Sequence, residues 1–345
     1  MVRLRGPVLV AMSGGVDSSI AAALLIEQGH EVVGVTMKLW GGDSDSGCCS
    51  VADVDDARRA ADRLGIEHHV FNFGDEFDEY VVDPYIEDHR RGVTPNPCVE
   101  CNRHLKFARL FDRARALGFE RVATGHHARI VEAQGRRWVA RGADPAKDQS
   151  YVLHMLNQDQ LARTELPIGH LTKDLVRDEA RRLGLPTADK PDSQDVCFIT
   201  SMAGREAFLG SRIPLHSGVA VDLEGHTVGE VPAIELVTIG QRKGLGVSGI
   251  DGPRYAVAVD AEAAVVTVGQ ADDLLCDQLA LGPVSWADTA FEGDVLVQVS
   301  AHGTPRSATY TGGIVRWHQP ERRVAPGQSV VLYADDRVLG GAPAA

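Results

Sequence analysis

Residues Ser13-Gly14-Gly15-Val16-Asp17-Ser18-Ser19 stand between an apolar run, residues 7–12, and a stretch of helical spacing. Two adjacent glycines let a backbone turn tightly and approach a ligand, and the serine hydroxyls fall beside amide groups that a helix start leaves unpaired. Such a turn binds anions, phosphate above all. An ordinary strand-to-helix turn needs only one glycine and a serine cap. No lysine follows the glycines, so this is not a Walker loop, and the spacing is not that of the dinucleotide fingerprint.

The second group is Thr94-Pro95-Asn96-Pro97-Cys98-Val99-Glu100-Cys101-Asn102, in which prolines stiffen a loop and a Cys-x-x-Cys stands ahead of a helix. Arg103, His104 and Lys106 follow closely. A helix start and neighbouring cations favour the thiolate, which is the nucleophile at neutral pH. A further thiol, Cys197, lies among polar residues in Asp192-Ser193-Gln194-Asp195-Val196-Cys197-Phe198, whereas Cys48, Cys49 and Cys276 lack such a setting and read as structural. Six cysteines in a chain whose start does not read as a secretory signal point to thiol chemistry or metal binding rather than a disulfide framework.

Alternating elements must position these groups. Residues 7–12 read as a buried strand, 18–28 as a helix with Ile20, Leu24 and Leu25 on one face, and 31–37 as a second strand. Ser50 and Asp53 have capping-box spacing and open a helix that Gly65 closes; strands over 70–73 and 121–124 flank a helix over 105–117. Strands alternating with helices predict a parallel sheet covered on both faces. Beyond residue 200 helical spacing fades and Val-rich runs at 255–259, 265–269 and 295–299 predict β modules, with domain boundaries near 201–210 and 272–281 and a frayed tail over 340–345.

At about 100–200 residues per domain, 345 residues argue for two or three domains. Apolar residues at 44% and charged residues at 24% exclude collagen-like, coiled-coil and disordered chains. No apolar run has the length of a membrane span, and the apolar part of residues 1–12 is too short for a signal peptide, so a cytoplasmic location is expected. The net charge of −13 argues against a polyanionic partner only in the mean, because binding depends on local patches and basic residues recur at Arg90, Arg91, Arg103, Lys106, Arg136, Arg137, Arg242, Lys243, Arg322 and Arg323.

The glycine-serine turn resembles the loop of ATP pyrophosphatases, which split ATP into AMP and pyrophosphate to activate a carbonyl oxygen as an adenylate. That resemblance implies ATP with Mg2+ and places Asp17 near the pyrophosphate and its magnesium, the cation that lets a carboxylate sit among phosphates. In chain order the turn, Met37-Lys38-Leu39-Trp40, the Thr94 to Asn102 run, Ala123-Thr124-Gly125-His126-His127, Lys147-Asp148-Gln149-Ser150-Tyr151, the Ser193 to Phe198 run and Thr238-Ile239-Gly240-Gln241-Arg242-Lys243-Gly244-Leu245 resemble the bacterial tRNA-specific 2-thiouridylases over nearly the whole chain.

The resemblance implies an α/β fold with a doubly wound parallel-sheet ATP-pyrophosphatase domain (residues 1–200), a small central domain (201–272) and a tRNA-contacting C-terminal β-barrel (273–345). It implies a sulfurtransferase that replaces the C2 oxygen of the wobble uridine in lysine, glutamate and glutamine tRNAs with sulfur. By motif position the resemblance implies that Ala11, Met12, Ser13, Gly14, Gly15, Val16, Asp17, Ser18, Met37 and Gly125 hold ATP. The resemblance implies that Cys101 is the nucleophile and that Cys197 carries persulfide sulfur delivered by a sulfur carrier or cysteine desulfurase. Asn96, Pro97, Cys98, His126, Lys147, Asp148, Gln149 and Gln328 match the positions at which that family meets the tRNA.

Relatives carry Asp where this chain has Cys98, so no acid-base role is implied there. Cys98, Cys101 and Cys197 also offer three thiolates to an iron–sulfur cluster, the alternative to a persulfide route. A zinc site completed by Cys48 and Cys49 is disfavoured by their adjacency. The rival readings are another ATP pyrophosphatase, such as an amidotransferase-type synthetase, and an RNA-binding module with a vestigial loop.

Overall fold

The computed structural model describes residues 5–40, 50–192, 196–199, 204–247 and 252–345. Cys48, Cys49, Ser193, Gln194 and Asp195 lie outside the described residues, as do residues 1–4.

The first apolar run forms β1 (Arg5–Ala11), and the glycine turn leads into α1 (Val16–Glu27) and then β2 (His30–Lys38). α2 (Val51–Leu64) opens on the expected capping box: the Ser50 hydroxyl accepts from the Asp53 amide at 3.1 Å, and the Asp53 carboxylate accepts from the Ser50 amide at 3.3 Å. β3 (His68–Asn72) and β4 (Arg121–Thr124) follow. β5 (Ala128–Ala133) and β6 (Arg136–Arg141) then form a hairpin outside this layer, and β7 (Thr164–Glu165) returns to it ahead of α3 (Lys173–Arg182).

Five strands pair in parallel in the order β3-β2-β1-β4-β7. The chain builds outward from β1 to β2 and β3 and then crosses to the other side for β4. In a parallel sheet such a reversal opens a crevice at the carboxyl ends of the strands. The glycine turn after β1 and Gly125-His126-His127 after β4 both stand at that crevice.

Burial of both sheet faces follows the strand alternation. Leu9, Val35 and Val122 share one core with Phe77, Leu105 and Leu110. Val8, Val10, Val32 and Ala123 share another with Ala22, Leu25, Ala57 and Ala60. α1 was expected to bury one face, but it is buried nearly all round, because Val16, Ile20 and Ala21 pack outward against Val176 and Ala180 of α3 and against Leu185 and Ala188. Its alanines are what allow a helix to lie close to layers on both sides.

The helix expected over 105–117 starts earlier. Helical turns cover 97–116, with Asn96 as N-cap accepting from the Val99 amide at 3.3 Å and Pro97 in the first position, where no amide hydrogen is needed. Cys101–Arg109 has π-helical hydrogen bonding, a geometry that gathers at functional sites.

The Val-rich runs build two β modules, as expected. Tyr255–Asp260, Val265–Gly269, Gly218–Val221 and Thr227–Val231 pair in that order around Ala220, Val231, Ala256 and Val266. The nine-stranded C-terminal sheet recruits β5 and β6, with Ala140 opposite Arg337. Helix Gly204–Gly210 packs back on the parallel-sheet core through Phe208 and Leu209.

The expectation of a frayed tail is corrected. Arg337–Pro343 is an interior strand that pairs with Ser329–Ala334, with β6 and with Ser285–Trp286, and Ala344 is buried behind it. Its small residues serve close packing: a Cβ at Gly341 would stand 2.7 Å from Nδ1 of His154.

That histidine sets a pH dependence. His154 is buried and neither ring nitrogen finds a partner among the described residues; burial, helped by the Arg103 charge, pulls its pKa down to about 3. The folded chain holds it neutral, whereas the unfolded chain protonates it below about pH 6.5. Its contribution to stability is therefore full above pH 6.5 and lost as pH falls toward 3, a cost of about 2 kcal/mol by pH 5. Urea midpoints at pH 7 and pH 5 are expected to differ less for His154→Leu than for the parent chain; equal differences would refute this.

Candidate active site

The glycine turn is shaped by close approach. Gly14 has φ of +73°, and a side chain there would run into the Asp53 carbonyl, so the turn lies on the first turn of α2. Ser18 Oγ accepts from the Ser13 amide at 3.1 Å and donates to the Gly15 carbonyl at 3.1 Å; Ser19 Oγ donates to the same carbonyl at 2.9 Å. Among the described residues no side chain caps α1, whose first amides face the crevice. An uncapped helix start is an anion site. Met12 is fixed by its amide on the Val35 carbonyl and its carbonyl on the Thr36 hydroxyl, both in β2, so the strand end that carries Ala11 is held firmly. Val16 is buried under the turn, Ser13 is exposed at its lip, and Met37 is buried in the neighbouring strand.

Gly125 closes the other wall. A Cβ there would lie 2.5 Å from the Ser18 amide nitrogen and 2.7 Å from the Asp17 carbonyl carbon, so any side chain displaces the start of α1. Gly125→Ala is expected to weaken ATP binding about tenfold or more, roughly 1.4 kcal/mol. Titration with a fluorescent ATP analogue checks this, and unchanged affinity would remove Gly125 from the nucleotide wall.

Two residues that sequence reasoning missed meet Asp17. Lys173 Nζ lies 2.8 and 2.7 Å from its carboxylate oxygens, and His127 Nε2 lies 3.1 Å from Oδ1. Lys173 Nζ also lies 2.8 Å from Asp192 Oδ1, and Asp192 in turn takes Lys147 Nζ at 2.7 Å and Arg177 at 2.8 Å. The three N–H groups of this ammonium are thus spent on two carboxylates. Burial works to raise the pKa of both acids, but hydrogen bonds outweigh it: His127 and Lys173 hold Asp17 below the ordinary carboxylate range, and Lys147 and Lys173 hold Asp192 well below it. One signal was available. Lys173 follows the N-cap Thr172, so its charge stands at the positive end of a helix, where a cation is unfavourable unless an anion or another task holds it there.

The thiols occupy different settings. Cys98 is exposed in the first turn of the 97–116 run, Cys101 is buried at the opening of its π-helical stretch, and Cys197 is half-buried. Cys101 belongs to the apolar core under the parallel sheet, and Cys197 packs against the same core. Among the described residues no three His, Cys, Asp or Glu side chains converge as metal ligands, so Cys98, Cys101 and Cys197 are not gathered to hold a cluster.

The residues expected to meet RNA divide into two groups. Asn96, Pro97 and Cys98 open the helical run beside the C-terminal module: the Thr94 amide donates to the Pro326 carbonyl at 2.8 Å, and Gly327 packs on Val93. Half-buried Gln328 belongs to that loop, where its Oε1 accepts from the Ala325 amide at 3.1 Å. The central module arrives at the same place, with the Thr94 hydroxyl 3.3 Å from that of Thr238. The second group lies apart from that loop, with His126 and Asp148 buried, Lys147 half-buried and Gln149 exposed. His126 is buried with Nδ1 2.7 Å from the Thr124 hydroxyl, and burial, with Lys106 and His127 nearby, keeps its ring neutral. Asp148 is buried against Arg141, the Gly142 amide and Ser150, while Gln149 Oε1 accepts from the His127 amide at 2.9 Å. Lys147 reaches the charge network beside the glycine turn rather than the C-terminal sheet.

Family models match the chain in order: a tRNA methyl transferase HUP domain over residues 6–201, a tRNA methyl transferase PRC-barrel domain over 206–270, and an aminomethyltransferase beta-barrel domain over 276–343. A protein of Chloroflexus aurantiacus named tRNA-specific 2-thiouridylase MnmA is 46% identical over 348 residues, covering 97% of each chain. Its namesake from Mycobacteroides abscessus is 47% identical over 354 residues, covering 97% of this chain and 98% of the other. Among solved structures, the U34-tRNA thiolase NcsA from Methanococcus maripaludis, with its 4Fe-4S cluster, matches 61% of this chain and 65% of its own at 16% identity and a TM-score of 0.37.

Proposed function

The chain belongs to the tRNA-specific 2-thiouridylase family and is an ATP-using tRNA sulfurtransferase, and from that premise we propose how its residues divide the reaction. The uracil C2 oxygen is a poor leaving group. It attacks the α-phosphorus of magnesium–ATP, pyrophosphate departs, and C2 then carries AMP, which sulfur can displace. Ala11, Met12, Ser13, Gly14, Gly15, Val16, Asp17 and Ser18 cradle the phosphates with the α1 amides, and Met37 and Gly125 wall the nucleotide. Asp17 would hold the magnesium of bound magnesium–ATP, which would supply screening of the phosphate charge, and the Lys173 ammonium that pairs with Asp17 would meet the charge that grows as pyrophosphate leaves.

Cys197 carries the persulfide sulfur and Cys101 releases it. The acceptors are lysine, glutamate and glutamine tRNAs, and the donor is a sulfur carrier or desulfurase that presents a persulfide. Asn96, Pro97, Cys98 and Gln328 form the rim that meets the anticodon loop, from which the base must flip inward. Lys147 and His126 stand along the path inward, Asp148 braces it from inside the fold, and the exposed Gln149 holds the His127 amide. The rim lies where residues 1–200, 201–272 and 273–345, read as catalytic, central and tRNA-contacting units, come together. No step is routed through an iron–sulfur cluster, whose three candidate ligands are not assembled. No helix among the described residues is long and apolar enough to cross a membrane, and we place the reaction in the cytoplasm on the ground of its tRNA substrate.

The observation that carries the reading is the uncapped α1 start with the Asp17–Lys173 pair at its mouth, beside a core that takes both Cys101 and Cys197. Nucleoside mass spectrometry of tRNA incubated with ATP, magnesium and a persulfide donor tests it. 2-Thiouridine that depends on both ATP and donor supports the reading; ATP turnover without thiolation favours a different synthetase.

A further inference from the structure

Trp40 closes the Met37-Lys38-Leu39-Trp40 motif, and neither the nucleotide nor the thiol chemistry above uses it. Its ring centroid stands 6.3 Å from that of Phe198, 6.4 Å from Phe77 and 6.4 Å from Phe208. Phe198 is the immediate neighbour of Cys197 and is 4% exposed. Around it stand Phe208 at 5.0 Å, Tyr85 at 5.3 Å and Phe77 at 5.7 Å, the last two edge-on at 86° and 75°. The Arg212 guanidinium covers the outer side, 4.0 Å from the Phe208 ring and 5.7 Å from that of Trp40. These rings come from separate stretches: the end of β2, the helical turns over 74–90, and helix Gly204–Gly210. Edge-to-face rings hold a position as well as a volume.

Sulfur release needs such a position. The Cys101 thiolate must attack Cys197 Sγ so that the persulfide S–S bond breaks. A Cys101–Cys197 disulfide then forms, and the terminal sulfur leaves with the electron pair as hydrosulfide. Cys101 is buried, so a carrier thiol reaches it only if its segment is seated against the same core, and a small displacement removes most of the advantage of proximity. Val196, Cys197 and Ile199 are only partly buried, so Phe198 is the described residue of this segment with its side chain fully inside.

We propose that the Phe198 ring is a positioning residue that seats Cys197 against Cys101, with Trp40, Phe77, Tyr85 and Phe208 as its socket. The inference rests on reading Cys197 as carrier and Cys101 as its attacker. The test uses the full chain carrying Phe198→Ala, Phe198→Leu or Trp40→Leu, with labelled glutathione persulfide as donor. Intact mass gives loading at Cys197, hydrosulfide trapping gives release, and pyrophosphate release with tRNA reports the adenylation site.

Expected for Phe198→Ala are unchanged loading, pyrophosphate release within about twofold of the parent, and hydrosulfide release slowed tenfold or more. Phe198→Leu, which fills the socket without a ring edge, and Trp40→Leu, which removes one wall, are expected in between. Release at the parental rate in Phe198→Ala overturns the proposal. Parallel loss of pyrophosphate release in all variants also overturns it, by showing a general packing role. If the parent chain loads Cys197 but releases no hydrosulfide and forms no Cys101–Cys197 disulfide, the reading of the two thiols fails and takes the anchor with it.

Discussion

Cys197→Ser is expected to abolish tRNA thiolation while leaving one equivalent of pyrophosphate released per enzyme, because adenylation precedes any need for sulfur. Serine keeps nearly the shape of the half-buried side chain but offers no sulfur to form a persulfide, so donor sulfur has nowhere to load. Cys101→Ser is expected to fail later: it loads sulfur at Cys197, adenylates tRNA, and stalls with the persulfide intact, because the attacking thiolate is gone. Intact-protein mass after a labelled donor, followed by nucleoside analysis, separates the two. If Cys101→Ser takes up no sulfur while Cys197→Ser does, the roles are exchanged. If both variants thiolate tRNA normally, the persulfide mechanism does not operate in this chain.

Lys173→Met is expected to slow tRNA-dependent pyrophosphate release by about 10²-fold, the usual effect of removing one preorganised donor from developing charge. The substitution keeps the stem that fills the buried site but removes the ammonium shared by Asp17 and Asp192. tRNA binding is expected to persist, since the rim around Asn96 and Gln328 does not involve this group. A rapid-quench time course with radiolabelled ATP measures the step, and a parental rate would show that Lys173 only neutralises Asp17 in the empty site.

The phosphate turn was legible because it is local: its glycines, its serines and the strand and helix around it lie within one short stretch. Lys173 was not, because it stands 156 residues from Asp17 and only the fold joins them. The transfer of β5 and β6 to the C-terminal sheet was hidden for the same reason. Arg129 of that hairpin pairs with Asp336, and nothing near either residue in the chain announces the other. The start of the helical run at Pro97 was not legible, because prolines that stiffen a loop fit the first position of a helix equally well. The glycine- and alanine-rich C-terminus has the composition of a loose end, yet small residues are what an interior strand needs where His154 and a neighbouring strand press against its backbone.

The most direct test of the account follows one oxygen atom. tRNA carrying 18O at C2 of the wobble uridine, incubated with the full chain, ATP, magnesium and a persulfide donor, is expected to yield 2-thiouridine and AMP bearing one 18O on its phosphate, with unlabelled pyrophosphate. Label recovered in pyrophosphate or in water, or thiolated tRNA formed with unlabelled AMP, would contradict adenylation of the C2 oxygen.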